Sequence, residues 1–390
     1  MTEPCKKGYQ SPRWSGEVAD CSMPLTFDTY DNCSFGCVYC FSQYQRGVGS
    51  GKEDYFAKQV RSVNPQRVRD IFTLKKESQF SEYIRQRRTI QWGGLSDQFD
   101  GYERKHGVTL ELLKLFKELD YPISFSTKST WWLQDKRYTD LFKGQKNWNC
   151  KFSIITADPE MAAKIERGVA TPQERIDAIR RFSELDAGGA TLRLRPFIIG
   201  VSSKTYKTLI REAAAAGATA MTTEFFCLER RSVRLNRAIK EPYVRKMRDL
   251  CHEVGMRFYV SDAHFKEACD NACCCGLPDD WKISRCQFSE ALQLCRRNGR
   301  VTFSEIGGDA DFLEFPWSAA EGFNTGGVER RAKFAGMTMR DYLRWLWNNP
   351  KAGQSPYAMF EGVMLPDGLD EHGDVIYRWN QSRTFVEGGE

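Results

Sequence analysis

PLTFDTYDNCSFGCVYC (24–40) decides how this chain is read. Its first seven residues, PLTFDTY (24–30), form an apolar, β-prone run that reads as a strand. Directly after it come Cys33, Cys37 and Cys40 at spacing C-x3-C-x2-C, with an aromatic residue, Tyr39, just before the last. A structural zinc site takes four ligands, usually from two paired knuckles, and this loop supplies three. Three thiolates in one tight loop suit an iron–sulfur cube in which one iron has no protein ligand. Such an iron is open to a substrate or cofactor. The plainer alternatives are a zinc knuckle completed by a remote residue and three incidental cysteines.

Working outward, further β-rich runs follow: TIQWGG (89–94), PISFSTK (122–128), CKFSIIT (150–156), TLRLRPFII (191–199) and ATAMTTEFF (218–226), with MRFYVSD (256–262) as a seventh candidate. Helical periods separate them at 109–119, 171–185 and 204–217. Thr171 with Pro172 makes a good N-cap and first helical residue, and Gly217 a good helix stop. Repeated strand–helix units predict a parallel α/β sheet, a partial (β/α)6 TIM-like barrel whose chemistry gathers at the C-terminal strand ends. The pattern ends near residue 262. We therefore expect a barrel over 1–262, a cysteine-rich auxiliary metal site over 263–300 and a C-terminal extension over 301–390. In the last, 337–349 reads as an amphipathic helix and 364–379 as a turn or hairpin. GVGSG (47–51) reads as a short flexible stretch.

The 390 residues are 41% hydrophobic, enough for a sizeable core. No run approaches the roughly 18 apolar residues of a membrane span, and the N-terminus lacks the apolar region of a signal peptide. The expectation is a cytoplasmic protein with no membrane partner. Fourteen cysteines in a reducing compartment point to metal or redox chemistry. A net charge of +6 permits a polyanionic partner without demanding one.

The cysteine loop after the first strand resembles the signature of the radical S-adenosylmethionine (SAM) superfamily, and the motifs that follow resemble its spore-photoproduct-lyase-like branch. WGGLSDQFDGYERKHGVTLELLKLF (92–116) is similar to that branch's Gly-x-x-(Ser/Thr)-Asp segment, the acidic–basic pair after it and its helix. SFSTKS (124–129) resembles its Thr-Lys-Ser strand, 152–185 its Ser-Ile-Thr strand and Glu-x-Gly stretch, and RPFIIG (195–200) its Pro-Ile-Ile-Pro-Gly strand end. The resemblance covers about 24–226 with the motifs in order. It implies a [4Fe–4S] cluster on Cys33, Cys37 and Cys40, and SAM bound through its amino and carboxylate groups to the open iron. Reductive cleavage then gives a 5′-deoxyadenosyl radical that abstracts hydrogen from a substrate. An external electron donor of the flavodoxin or ferredoxin type is implied as partner.

On this resemblance Tyr39, Gly93, Gly94, Ser96, Asp97, Lys128, Ser153 and Arg195 are candidate cofactor-binding residues. The strand end at Gly93 and Gly94 matches the position that takes the SAM amino group, Lys128 the position that takes its carboxylate, and Ser153 one that meets its ribose. Each has a structural alternative: a turn, an N-cap, an internal salt bridge, a small core residue. Arg193 and Arg195 share one strand face and reach SAM or substrate, or pair with Glu224. One departure concerns the cysteine that returns hydrogen to the substrate in spore photoproduct lyase. Gly94 or Leu95 stands in its place, which argues against thymine-dimer repair by that route. Cys150 and Cys227 are alternative donors or, more plainly, small apolar residues.

A second cluster, CDNACCCG (269–276), is followed by Cys286 and Cys295. Adjacent thiolates cannot all face one metal. The expected set is Cys269 with two of Cys273, Cys274 and Cys275, completed by Cys286 or by His264. The site reads as a second iron–sulfur cluster or a structural zinc. ERRSVRLNRAIKEPYVRKMR (229–248) carries eight basic and two acidic residues, read as a phosphate-backbone contact or a solvated helix face. RQRR (85–88) reads as surface. The leading reading is a radical SAM enzyme acting on a nucleic-acid base or nucleotide. The others are the same chemistry on a peptide or small metabolite, and a non-catalytic metal-bearing nucleic-acid-binding protein.

Overall fold

The computed structural model describes residues 11–15, 18–43, 59–226, 237–285, 287–306 and 338–383. GVGSG (47–51), Cys227, residues 229–236 of the basic stretch and Cys286 lie outside them.

Every strand expected from the sequence is present, the seventh candidate included. They are β2 (Leu25–Phe27), β4 (Ile90–Trp92), β5 (Ile123–Thr127), β6 (Trp148–Ser153), β8 (Ala190–Phe197), β9 (Ala218–Phe225) and β10 (Arg257–Val260). All seven pair in parallel, in chain order. A short β1 (Arg13–Trp14) adds antiparallel to the β2 edge. Among the described residues no ladder joins β10 back to the first strands, so the sheet is a partial TIM-like barrel with seven parallel strands. Two short strands, β3 (Gly36–Cys37) and β7 (Glu166–Arg167), form a separate antiparallel pair beside it.

Helices cover one face: α1 (Pro65–Phe72), α2 (Val108–Glu118), α3 (Lys136–Phe142), α4 (Pro159–Ile165), α5 (Pro172–Ser183), α6 (Ser202–Ala215) and α7 (Arg237–Glu253). Thr171 caps α5 through a complete capping box with Glu174, as Thr-Pro suggested. Gly217, at φ +96°, follows the end of α6. There a side chain would meet Ser183 Oγ at 2.7 Å.

The period of two along each strand divides the sheet by polarity. Phe27, Trp92, Phe125, Phe152, Leu192, Met221 and Phe258 belong to the buried apolar core. Gln91, Ser124, Asn149, Lys151, Thr191, Arg193 and Thr222 alternate with them and form the opposite, concave face. Ser124 Oγ lies 3.1 Å from Asn149 Oδ1, and Asn149 Nδ2 donates to Thr191 Oγ1 at 3.3 Å. A barrel lined this way has its hydrophobic core between sheet and helices, and its inside is free for polar chemistry.

Beyond β10, α8 (Phe288–Asn298) and α9 (Met339–Trp347) join a three-stranded sheet of β11 (Arg300–Val301), β12 (Met364–Leu369) and β13 (Val375–Trp379). The hairpin read at 364–379 is β12–β13. Trp347 packs on Phe288, Phe303 and Tyr377, and these residues share one hydrophobic core with the barrel.

Phe125 touches Phe99, Trp132 and Phe142 at ring separations of 5.5, 5.9 and 5.4 Å. Phe125→Ala is expected to cost roughly 3–5 kcal/mol, read as a lower midpoint in urea unfolding; an unchanged midpoint would contradict this packing.

Candidate functional site

The cysteine loop is held at the strand ends by buried acids. Asp28, directly after β2, accepts from the backbone N–H groups of Leu95 and Ser96 at 2.8 and 3.0 Å and pairs with Arg13. It therefore fixes the turn after β4. Asp97, in that turn, accepts from the Lys128 N–H at 2.6 Å and from Thr127 Oγ1 at 2.8 Å, tying the turn to the end of β5. Burial raises its pKa, opposed by those bonds. Glu103 is also buried and accepts from Tyr30, Tyr138 and the N–H groups of Thr109 and Leu110 at 2.6–2.9 Å. Ser34 N–H donates to Asp100 at 2.5 Å. Asp100 is pushed up to about 7, chiefly by burial.

The β3–β7 pair sets Cys37 opposite Glu166, and Val38 N–H donates to Ile165 O at 2.9 Å. Glu166 is 2% exposed and receives the Tyr39 hydroxyl and the Arg175 guanidinium, the latter at 2.6 Å. Arg175, fully buried on α5, also donates to Ser153 O at 2.7 Å. Burial acts to raise the Glu166 carboxyl, but Arg175, Lys128 and the hydrogen bonds outweigh it and hold it low. The aromatic residue of the cysteine motif is thus a phenol anchored on a buried ion pair.

These elements enclose a cavity of about 330 Å³. Its lining brings together Cys33, Cys37, Cys40, Tyr39, Gly93, Gly94, Ser96, Asp97, Lys128, Ser153, Arg193 and Arg195, the first-site residues singled out from the sequence. Their orientations differ. Ser96 Oγ bonds to Tyr30 O at 2.8 Å, and Asp97 faces Thr127 and Lys128 N–H, so both build the turn. Gly93, at φ +85°, is required by its own turn: a Cβ would lie 2.4 Å from Gln98 Oε1 and 2.9 Å from Ser126 O. Arg195 pairs with Glu224, the salt-bridge alternative, and donates to Ser261 Oγ at 3.2 Å.

Two cations remain. The Lys128 ammonium lies 5.5 Å over the Tyr39 ring and, among the described residues, has no carboxylate at ion-pair distance. Arg193 donates to Ser153 Oγ at 3.3 Å and likewise has no carboxylate there. Burial and neighbouring Arg195 push it down to about 10.

The thiols respond to the same burial. Cys37 is pushed up to about 11 by desolvation, with Lys128 pulling the other way, and Cys33 is raised by desolvation with Asp100 and Asp97 adding. Metal binding to such thiols releases protons. Among the described residues no three His, Cys, Asp or Glu side chains already form a ligating group. The donor set, three thiols lining the cavity beside an ammonium with no ion-pair partner among the described residues, fits an iron–sulfur group with an anionic ligand.

The second cluster is divided. Cys269 Sγ sits 3.2 Å from Val260 N and 3.4 Å from Val260 O, turned to the backbone of β10. Cys273 and Cys275 pack with Met23, Leu277 and Ile283, and Cys274 is half-buried beside them. His264 Nδ1 faces Glu361 at 3.0 Å instead of the thiols. Cys150 lies in the apolar core between sheet and helices, as a small hydrophobe. In the described half of the basic stretch, Arg237 pairs with Glu267 at 2.6 Å, Lys240 with Asp262 at 2.7 Å and Arg245 with Glu241 at 2.6 Å. RQRR is mixed: Arg85 and Arg87 pair with surface carboxylates, while Arg88 is buried, donating to Ile283 O at 3.2 Å.

No family model matches the chain. Among curated proteins it is similar to an uncharacterized protein of Mycobacterium bovis and its counterparts in two strains of Mycobacterium tuberculosis, 25% identical over 201 residues. The match spans 50% of this chain and 57% of each relative's length. The chain is similar to spore photoproduct lyase. For the complex with dinucleoside spore photoproduct, the likeness has a TM-score of 0.48 at 16% identity and covers 65% of this chain and 80% of that one. A doubly substituted spore photoproduct lyase with bound AdoMet and dinucleoside spore photoproduct gives 0.46 at 17%, covering 62% and 77%. SuiB of Streptococcus suis bound to S-adenosylmethionine gives 0.42 at 13%, covering 61% and 47%. Among the described residues no helix is long and apolar enough to cross a membrane.

The sequence reading missed Asp28, Glu103 and Arg175. Glu103 and Glu166 carried a signal, as the acids of the acidic–basic pair and of the quoted Glu-x-Gly stretch. Glu166→Gln is expected to cost roughly 3–5 kcal/mol, because it leaves Arg175 uncompensated. The double variant Glu166→Leu/Arg175→Met is expected to lose less. Chemical denaturation of the two variants checks this, and equal losses would contradict the pairing.

Proposed function

We propose that this chain is a radical SAM enzyme. The observation that carries the reading is the cavity shared by Cys33, Cys37, Cys40, the Gly93–Gly94 strand end, Ser153 and the Lys128 ammonium, which has no carboxylate at ion-pair distance among the described residues. A [4Fe–4S] cluster on the three thiolates, with SAM on its open iron, supplies a 5′-deoxyadenosyl radical when bound and reduced. The residues of the chain do the rest. Lys128 binds the SAM carboxylate. The strand end at Gly93 and Gly94 offers backbone groups to the amino group, held in place by Asp28 and Asp97. Ser153 meets the ribose. Glu166 and Arg175 keep Tyr39, and with it the cysteine loop, against the barrel. The buried walls exclude water and stray hydrogen donors from a reactive intermediate.

The proposed substrate is a nucleic-acid base or nucleotide, modified or rearranged after hydrogen abstraction. The motif resemblance over 92–200 supports it. So does Arg193, a guanidinium on the cavity wall suited to a phosphate oxygen. A peptide or small metabolite is the second reading. It is favoured by the internal pairing of Arg237, Lys240 and Arg245, which removes them from a phosphate-backbone surface. The electron donor is proposed to be an external flavodoxin- or ferredoxin-type protein, and the setting cytoplasmic.

The test is anaerobic reconstitution with iron and sulfide, then dithionite and SAM, with 5′-deoxyadenosine as product. Wild-type protein is expected to form it, and Cys37→Ala to make less than about 1% as much. Lys128→Ala is expected to weaken SAM binding at least tenfold while keeping its iron. That follows from losing one charge-assisted contact, worth roughly 1.5–3 kcal/mol. Absence of 5′-deoxyadenosine from well-folded, iron-loaded wild type would favour the non-catalytic binding protein.

A further inference from the structure

The concave face of the sheet holds a cation without an anion. Lys151, on β6, is 1% exposed, and its ammonium donates to Ser124 Oγ at 3.0 Å. Among the described residues no carboxylate lies within ion-pair distance of it. A buried ammonium is expensive to keep unless it is paired. Acidic groups close enough to act on it include the thiols of Cys275, Cys273 and Cys274, with Cys150 beside it on the same strand.

The cysteine-rich segment lies on that face. Thr222 Oγ1 donates to Cys274 O at 2.6 Å, and Cys275 Sγ is 3.9 Å from Gln91 Oε1. A Cβ on Gly276 would lie 3.0 Å from Thr191 Cγ2, so the segment runs against the strands. From the other side the chain before β2 closes the same space. Met23 packs on Cys273 and Cys275, Ser22 O accepts from Ser284 N–H at 2.8 Å, and the Ser22 side chain bonds to Cys273. Cys21 is the next residue, close enough to act on the charge of Cys275. Cys274 is hydrogen-bonded to Cys275 and reaches toward Lys266 and Asp20, and Cys269 stands apart on the Lys266 side.

We propose that Cys21, Cys273 and Cys275 are donors of a second metal–thiolate centre on the inner wall of the barrel, with Lys151 as its counter-charge. The donor set differs from the one read off the sequence: it keeps two of the three adjacent cysteines, gains Cys21 from some 250 residues upstream, and leaves out Cys269 and His264, while Cys286 lies outside the described residues. The thiols are gathered around one space without yet forming a ligating group, so the set closes as metal enters and protons leave. Thiolate ligation and the nearby positive charge suit an iron–sulfur cluster or a zinc ion alike. The centre pins the N-terminal segment to the cysteine-rich segment. It goes beyond the SAM reading and does not depend on it.

The test starts from the full chain carrying Cys33→Ala, Cys37→Ala and Cys40→Ala, loaded anaerobically with iron and sulfide or, separately, with zinc, then desalted and assayed for metal. About one centre per chain is expected to remain. Iron with matching sulfide identifies a cluster, and zinc alone a mononuclear site. Adding Cys21→Ser, at a half-buried position, or Cys275→Ser is expected to lower the metal at least tenfold, while adding Cys269→Ser leaves it. Near-UV circular dichroism establishes that each variant is folded. Lys151→Met, which removes no thiol, is expected to lose zinc to a chelator at a concentration at least tenfold lower. A folded triple variant without metal would overturn the proposal, as would full metal retention by Cys21→Ser.

Discussion

The buried pair of Glu166 and Arg175 is the constraint on which the candidate site depends. Both side chains are out of water, so the pair is stable only while every polar atom around it is used. Arg175 also donates to Ser153 O and Thr171 O, at the end of β6 and the start of α5. Glu166 spends its second oxygen on Tyr39. The cysteine loop, whose regular structure is the two-residue β3, is thereby fastened to the barrel. The β3–β7 pairing repeats the same attachment through the backbone. Removing one charge would release the cysteine loop and strand a buried ion in the same step.

Within that frame the acids and cations have separate tasks. Asp28, Asp97 and Glu103 are consumed by backbone N–H groups and hydroxyls, which shape the turns after β2 and β4. Arg195 is neutralised by Glu224. What is left facing the cavity is positive: Lys128 on one wall and Arg193 on another. Deeper on the same concave face Lys151 repeats the pattern against a group of thiols. An inner surface with carboxylates satisfied and cations in surplus is suited to anionic guests, whether a SAM carboxylate, a phosphate or a metal–thiolate centre.

The seven strands, the capping of α5 and the cysteine loop were legible in the sequence because each is a local pattern: alternation, a Thr-Pro-x-Glu box, a spacing. Gly93 was legible as a glycine that mattered, although its own turn, more than a ligand, demands it. The roles of Ser96 and Asp97 were not fixed by sequence, since their partners, Tyr30 and Thr127, lie 66 and 30 residues away. Arg175 looked like any charged residue of an amphipathic helix, yet it is fully buried. The basic stretch showed its charge but not Asp262 and Glu267, which meet it only after folding. Cys21 gave no sign of joining a cluster that begins 250 residues later.

The central claim is that Cys33, Cys37 and Cys40 hold a cluster with one iron open to SAM. Electron paramagnetic resonance of the reduced, reconstituted Cys273→Ser/Cys275→Ser chain tests it most directly, because the signal then comes from the first site. The account predicts a [4Fe–4S] signal whose g-values shift on adding SAM, with magnetic coupling to nitrogen-15 in the SAM amino group. A cluster signal that SAM leaves unchanged would contradict it.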